Sequence, residues 1–281
     1  MENQDIMNQT RTVFRHLALL AFLLVGAYPL VWMGLAALRP EGDLLAHPFA
    51  LPGQITLQNL KVVFASGTFG QAYINSLIVC GGSVTIAVAF SALAGFAFAK
   101  LKFAGKRLLF VLFLAGMMIP VHVTLIPLNR LMGTGFLNLK GTYWALIGPY
   151  VGFALPVSIL ILRGAFAAVE RDLIDAARID GCSTWGIFRR VCLPLVRPAL
   201  ATVIIFNFLT MWNEFAFALT LINDTDMRTL PLALWQFKGE RGMCMAETCA
   251  ALCVGVLPVL LVYAFAQRHI IRGLTAGALK G

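Results

Sequence analysis

An all-α integral membrane fold is the class this sequence predicts, with six transmembrane helices in a bundle and a cytoplasmic helix–turn–helix between the fourth and fifth. Three observations predict it. Apolar residues make up 59% of the 281, charged residues only 12%, and the mean hydropathy is +0.83. The apolar residues gather into runs of roughly 20, each long enough to cross a hydrocarbon core of about 30 Å. The basic residues fall unequally on the two sides that such runs would create. Backbone groups inside lipid must bond within their own segment, so the runs are expected as helices; the alternation over about 10 residues that marks a membrane strand is missing.

The spans are placed at 16–38, 74–99, 108–129, 142–162, 199–222 and 248–267. This makes residues 1–15 an N-terminal tail, 16–270 the spanning domain and 271–281 a C-terminal tail. Arg11 and Arg15 followed by an apolar run resemble a signal peptide, but the run is too long for a cleaved one, so an uncleaved first span is expected. The second span carries Ser83, Ala87, Ser91, Gly95 and Ala99 at a spacing of four, a smooth face against which another helix can pack closely. Pro29, Pro120, Pro127, Pro149, Pro156 and Pro258 interrupt most of the others and are expected to kink them.

With the N-terminus on side one, that side holds 15 of the 22 basic residues and the other holds 7. Basic excess marks the cytoplasm, so both termini and the segment 164–198 are expected there. The net charge of +9 is thereby a topology signal and needs no nucleic-acid partner. The six cysteines fall in spans, in the reducing cytoplasm or, for Cys244 alone, outside; they suggest neither a disulfide framework nor a metal site. The stretches 39–73 and Asn223 to Glu247 are expected as external loops, the second with Pro231, Trp235 and Phe237.

Catalytic signatures are missing: there is no HExxH, no GxSxG elbow and no GxxxxGK[ST] loop to cradle ATP phosphates, so no enzyme and no bound cofactor are expected. Two polar residues within spans are candidates for lining a translocation pathway. Glu214 would be costly in hydrocarbon unless paired or hydrated, and a structural salt bridge or an interfacial position is the other reading. His122, after Pro120, lines a pathway or is a hydrogen-bonded core histidine. Asn213 is a third pathway candidate, although both Asn207 and Asn213 also suit helix–helix contacts.

The polar segment DLIDAARIDGCSTWGIFRRVCLP, Asp172 to Pro194, has the signals of two short helices. Acids cluster at the start of the first, where the helix dipole favours them, and Leu173, Ala176, Ala177 and Asp180 form a mostly small face. Gly181 suits the left-handed residue that ends a helix, and Ser183 or Thr184 can cap a second whose Trp185, Phe188, Val191 and Cys192 make an apolar strip. A small face suits insertion into a groove of a partner protein; an amphipathic pair lying on the membrane is the alternative.

The spacing of this segment resembles the EAA loop of ABC-type importer permeases: EAA, three residues, G, nine residues, I-x-L-P. Asp175, Ala176 and Ala177 stand for EAA, Gly181 for the glycine, and Val191, Cys192, Leu193 and Pro194 for I-x-L-P. The stretches NSLIV (75–79), MIPVHVTLIPL (118–128), WNEF (212–215) and RGLTAGALKG at the C-terminus resemble the carbohydrate-uptake branch, the maltose-type second permease in particular. The resemblance implies one half of a permease heterodimer in a bacterial or archaeal plasma membrane. It implies coupling through Asp175, Ala176, Ala177, Asp180, Gly181, Val191, Leu193 and Pro194 to a separate cytoplasmic ATPase dimer that holds the ATP and Mg²⁺. An external binding protein would deliver the sugar, and membrane lipid would surround the spans. A non-sugar solute such as a polyol, glycerol phosphate or a polyamine, or a channel or scaffold without an ATPase, are the other readings.

Overall fold

The computed structural model describes residues 2–133, 137–240 and 244–278, with side chains placed for 11–133, 137–235 and 244–265. Among these residues every regular element is helical. In chain order they are α1 (Glu2–Ala37), α2 (Glu41–Ala46), α3 (Gln58–Ala65), α4 (Thr68–Lys100), α5 (Lys106–Gly116), α6 (Val121–Met132), α7 (Trp144–Ala167) and α8 (Arg171–Ile179). Then come α9 (Thr184–Gly186), which runs on through a π-helical turn (Ile187–Cys192) into α10 (Leu193–Leu195), and α11 (Arg197–Trp212), α12 (Ala216–Leu221), α13 (Leu230–Glu240) and α14 (Met245–Ala278).

Four described helices are single, long and apolar enough to cross a membrane: Arg11–Ala37, Thr68–Lys100, Trp144–Ala167 and Met245–Phe265. Two bent pairs raise the number to six if each is counted as one span: α5 with α6, bent by 99°, and α9–α10 with α11, bent by 77°. The expected single helix 108–129 is therefore broken. Pro120 is extended at the head of α6, where a proline ring and its missing N–H cannot continue α5. The expected span 199–222 is broken too, at Asn213–Phe215, between α11 and α12. Pro149 and Pro156, by contrast, lie inside an unbroken α7. The tail expected at 1–15 is helical from Glu2, and helix continues to Ala278, with 279–281 outside the described residues.

The chain forms two compact units. The first comprises Met1–Phe69 with Leu234–Val256. Its loop after α1, expected as turns only, contains α2 and α3 and is organised by a buried arginine. Arg39 pairs with Asp43 at 2.8 Å and donates to the carbonyls of Asp43, His47 and Ala50, so its charge is matched and four of its five N–H donors are used. The same guanidinium holds the Asp43 carboxyl below the usual carboxylate value. Asn59 donates to the carbonyls of Ala37 and Arg39, and Glu41 accepts from the first backbone N–H groups of α14, at Met245 and Ala246.

The second unit comprises Gly70–Ala233 with Leu257–Gly281. Within it the small face of α4 packs as expected. Ser83, Ala87 and Ser91 are fully buried, and a β-carbon at Gly95 would stand 3.0 Å from Leu162 Cβ and from the Arg163 backbone nitrogen on α7. Such close backbone approach is what small residues permit between membrane helices. The pair is reinforced by Lys100, whose Nζ donates to the Val169 carbonyl at 2.7 Å at the end of α7. Arg163 lies 4.0 Å from the Phe110 ring centre and ties α5 to α7. Ser158 and Asn207, both buried, exchange hydrogen bonds between α7 and α11, as expected of Asn207.

Candidate functional site

The segment between α7 and α11 is built by local rules. Glu170 is extended and precedes α8, whose first turn carries Asp172. At its end the Gly181 N–H bonds the Arg178 carbonyl and the Cys182 N–H bonds the Ala177 carbonyl, with Gly181 at φ +79°. These two bonds and the left-handed residue make a Schellman stop. Ser183 then accepts from the Gly186 N–H at 3.2 Å and caps the next helix. The capped pair is thus the one its signals predicted.

Its faces differ from the expectation. Ile174 and Ala177 are buried against the rest of the unit, whereas Leu173, Ala176, Ile179 and Asp180 are exposed. The small face therefore divides: Ala177 packs inward, while Ala176 and Asp180 remain open. Asp175 is exposed and pairs with Arg178 at 2.9 Å. In the second helix Ile187, Phe188, Cys192 and Val196 are buried, Val191, Leu193 and Pro194 are half-buried, and Trp185 is exposed. The strip follows a spacing of four to five because Ile187–Cys192 is π-helical, with i→i+5 bonds that widen each turn. Trp185, expected in that strip, is exposed, although its ring stands 5.2 Å from that of Phe188.

Phe188 is the knob that joins this pair to the long helices. Its ring lies 5.2 Å from that of Phe96 on α4 and 6.1 Å from that of Phe166 on α7, and these two are 5.7 Å apart, edge to face. All three are buried, in one cluster with Leu162, Ile174 and Ala177. Aromatic groups at such separations add attraction beyond their buried area. This cluster packs the capped pair directly against α4 and α7.

The second candidate group surrounds Glu214. Its carboxylate accepts from the Phe217 N–H at 2.8 Å, the Ala218 N–H at 3.3 Å and the Tyr150 hydroxyl at 2.8 Å. Among the described residues no cation pairs with it. The residue is not within a continuous helix: it sits in the break, takes the free donors at the start of α12 and reaches across to α7. Tyr150 is buried, and its hydroxyl has this carboxylate as partner. Beside it the ring of Phe153 lies 5.3 Å from that of Phe217. Phe153 also lines a mostly apolar cavity of about 370 Å³ with Ile119, Thr124, Leu128, Gly152 and Pro156.

The other two pathway candidates stand apart from this group. Asn213 is exposed and donates to the Leu209 carbonyl of its own helix. His122 is exposed in the first turn of α6, and no hydrogen bond joins it to Glu214. Neither the buried core histidine nor the salt-bridged carboxylate is what the structure contains.

A polar clamp at the head of α4 escaped the sequence reading, although NSLIV contains its two residues. Asn75, fully buried, donates to the carbonyls of Asp226 and Arg228 at 2.7 and 2.9 Å and accepts from the Tyr143 hydroxyl and from Gln71. Ser76 accepts from the Leu230 N–H at 2.7 Å. An Asn-Ser pair opening an apolar run was the available signal, since buried amides require partners. The clamp holds the stretch after α12, expected as an open loop; it contains a 3₁₀ turn at Thr225–Met227 and most of α13. The Phe237 side chain and residues 241–243 lie outside the described residues. Asn75→Ala is expected to cost about 1–3 kcal/mol by taking the partner from the Asp226 and Arg228 carbonyls and from the Tyr143 hydroxyl. Faster amide exchange at 224–230, with α8 unaffected, would report it.

A family model for binding-protein-dependent transport system inner membrane components matches residues 87–276. The chain is 40% identical over 264 residues to a putative ABC transporter permease of Caldicellulosiruptor sp. strain Rt8B.4, covering 94% of this chain and 95% of that one. It is 31% identical over 268 residues to a diacetylchitobiose uptake system permease of Streptomyces coelicolor, covering 94% and 88%. Its fold matches a chain of a bacterial ABC transporter that imports the acidic polysaccharide alginate, with a TM-score of 0.83, 20% identity and coverage of 93% and 97%.

Proposed function

Because the chain belongs to the family of binding-protein-dependent transport system inner membrane components, we propose that it forms half of the pathway of a saccharide importer and couples that pathway to a separate ATPase through the exposed face of α8. The observation that carries the coupling is the Phe188 cluster. A helix pair with one face packed on α4 and α7 and the other open can only move together with those helices.

On this reading Leu173, Asp175, Ala176 and Asp180 meet the ATPase, which binds ATP and Mg²⁺, while Ala177, Val191, Leu193 and Pro194 act from within by holding the pair on the spans. Gly181 sets the angle between the two helices. ATP binding draws the ATPase subunits together, the coupling pair follows, and the spans reorient; hydrolysis resets them. α8 then faces the cytoplasm, as do both termini, in agreement with the distribution of basic residues. A second permease completes the pathway, and an external binding protein supplies the solute. Saccharide is the proposed class because a relative that this chain covers almost completely is an uptake permease for diacetylchitobiose. Glu214 acts by holding the break between α11 and α12 through Tyr150, rather than by touching solute.

Gly181→Val tests the coupling. Its β-branched side chain at φ +79° costs about 1–2 kcal/mol and opens the turn. Saccharide-dependent ATPase activity of the reconstituted complex should fall at least tenfold, with the permease still in the membrane. Unchanged uptake and ATPase activity would overturn the assignment.

A further inference from the structure

Beneath α8 lies a second polar feature, which shares only Asp175 with the face proposed to meet the ATPase. A cavity of about 510 Å³ is lined by Lys100, Lys102, Lys106, Arg171 and Arg178, with Asp175 as its one carboxylate. Asp175 pairs with Arg178. Lys100 donates to the carbonyls of Ala167 and Val169 and Lys106 to that of Leu101, neutral acceptors that leave their charge unmatched. Lys102 and Arg171 are exposed and, among the described residues, have neither a hydrogen-bond nor an ion-pair partner. Four of the five positive charges therefore face the cavity without a carboxylate partner. Such a concentration of like charge is unfavourable when empty, because mutual repulsion is relieved only by a counter-anion.

Its position says which anion. α4 ends at Lys100, α5 begins at Lys106 and α7 ends at Ala167, so the cavity stands where three apolar helices meet the water interface. Next to it the first turns of α5 expose Leu108, Leu109 and Leu112, an apolar wall running from the cationic rim toward the hydrocarbon. A phosphate at the rim and acyl chains along that wall satisfy both surfaces together. A free phosphate satisfies only the first.

We propose that this cavity binds the phosphate headgroup of an anionic phospholipid, seated between the α4–α5 turn and the inner side of α8. Occupancy bridges the Arg171 end of the coupling helix to the α4–α5 turn and stiffens the joint between them. A lipid-dependent activity independent of the transported solute follows.

The purified permease with its co-purifying subunits, stripped of lipid, is titrated with phosphatidylglycerol, with phosphatidylcholine and with inorganic phosphate, and bound molecules are counted by native mass spectrometry. Phosphatidylglycerol should bind more tightly than either alternative. K102Q combined with R171Q should weaken it about 30-fold, from two interfacial charges lost, while K102R with R171K should retain it. Both side chains are exposed, so neither variant removes packing. Equal phosphatidylglycerol binding by the wild type and K102Q/R171Q would overturn the site. Phosphate binding as tight as the lipid would make it a soluble-anion site instead. Unchanged lipid binding with loss of the co-purifying ATPase would make it a protein contact.

Discussion

Phe188→Ala is expected to uncouple ATP hydrolysis from uptake. Removing a buried aromatic ring costs about 3–5 kcal/mol, since the lost contacts are compounded by the cavity left behind. Here the vacated space lies between Phe96 and Phe166, where the pair proposed for coupling touches both α4 and α7. The pair should then rock on its own: ATPase activity of the reconstituted complex becomes independent of saccharide and uptake falls at least tenfold. Phe188→Leu, which keeps most of the volume, should recover much of both. Coupled uptake in Phe188→Ala would show that movement reaches the spans by another route. The backbone joints at Glu170 and at Val196, where α11 leaves at 77°, are the available ones.

Glu214→Ala carries the next largest effect. It strands the buried Tyr150 hydroxyl and the Phe217 and Ala218 N–H groups, a loss of about 2–4 kcal/mol for three bonds to a partly exposed carboxylate. Glu214→Gln keeps an amide oxygen for one N–H, and the Tyr150 hydroxyl can turn to accept from the amide nitrogen, so most of the stability should return. Uptake should follow stability through the pair of variants, measured as thermal midpoint and as saccharide accumulation in vesicles. A Glu214→Gln protein with native stability and no uptake would instead assign the charge itself to the pathway.

These two sites were unequally legible in the sequence. At the coupling pair the capping residues could be read, because Gly181 and Ser183 act on backbone groups within a few positions of themselves. Which residues face inward could not. The π-helical turn changes the period in mid-helix, and only the positions of Phe96 and Phe166 reveal that Phe188 and Ala177 are buried against the spans while Trp185 stays exposed. Glu214 was singled out as a carboxylate in an apolar run, a sound reason for attention. Its partner Tyr150 is 64 residues away, however, and the carboxylate proved to be the cap of a broken helix. The Asn75 clamp joins residues 151 and 153 positions apart, so its two amide bonds to the stretch after α12 had no local trace.

What the sequence determined by itself was whatever follows from solvent and from short-range backbone chemistry. Its apolar runs require a membrane and helices, its basic residues carry the expectation of a side, and its Asp175-to-Pro194 spacing marks the segment proposed for coupling. Tertiary structure decided where those helices break, which face of α8 is left for a partner, and that five cations converge on one cavity. Hydropathy is a property of each residue and survives in the order of the chain. Packing faces, breaks and convergent charge depend on contacts between residues far apart in sequence, and these exist only once the helices have been brought together.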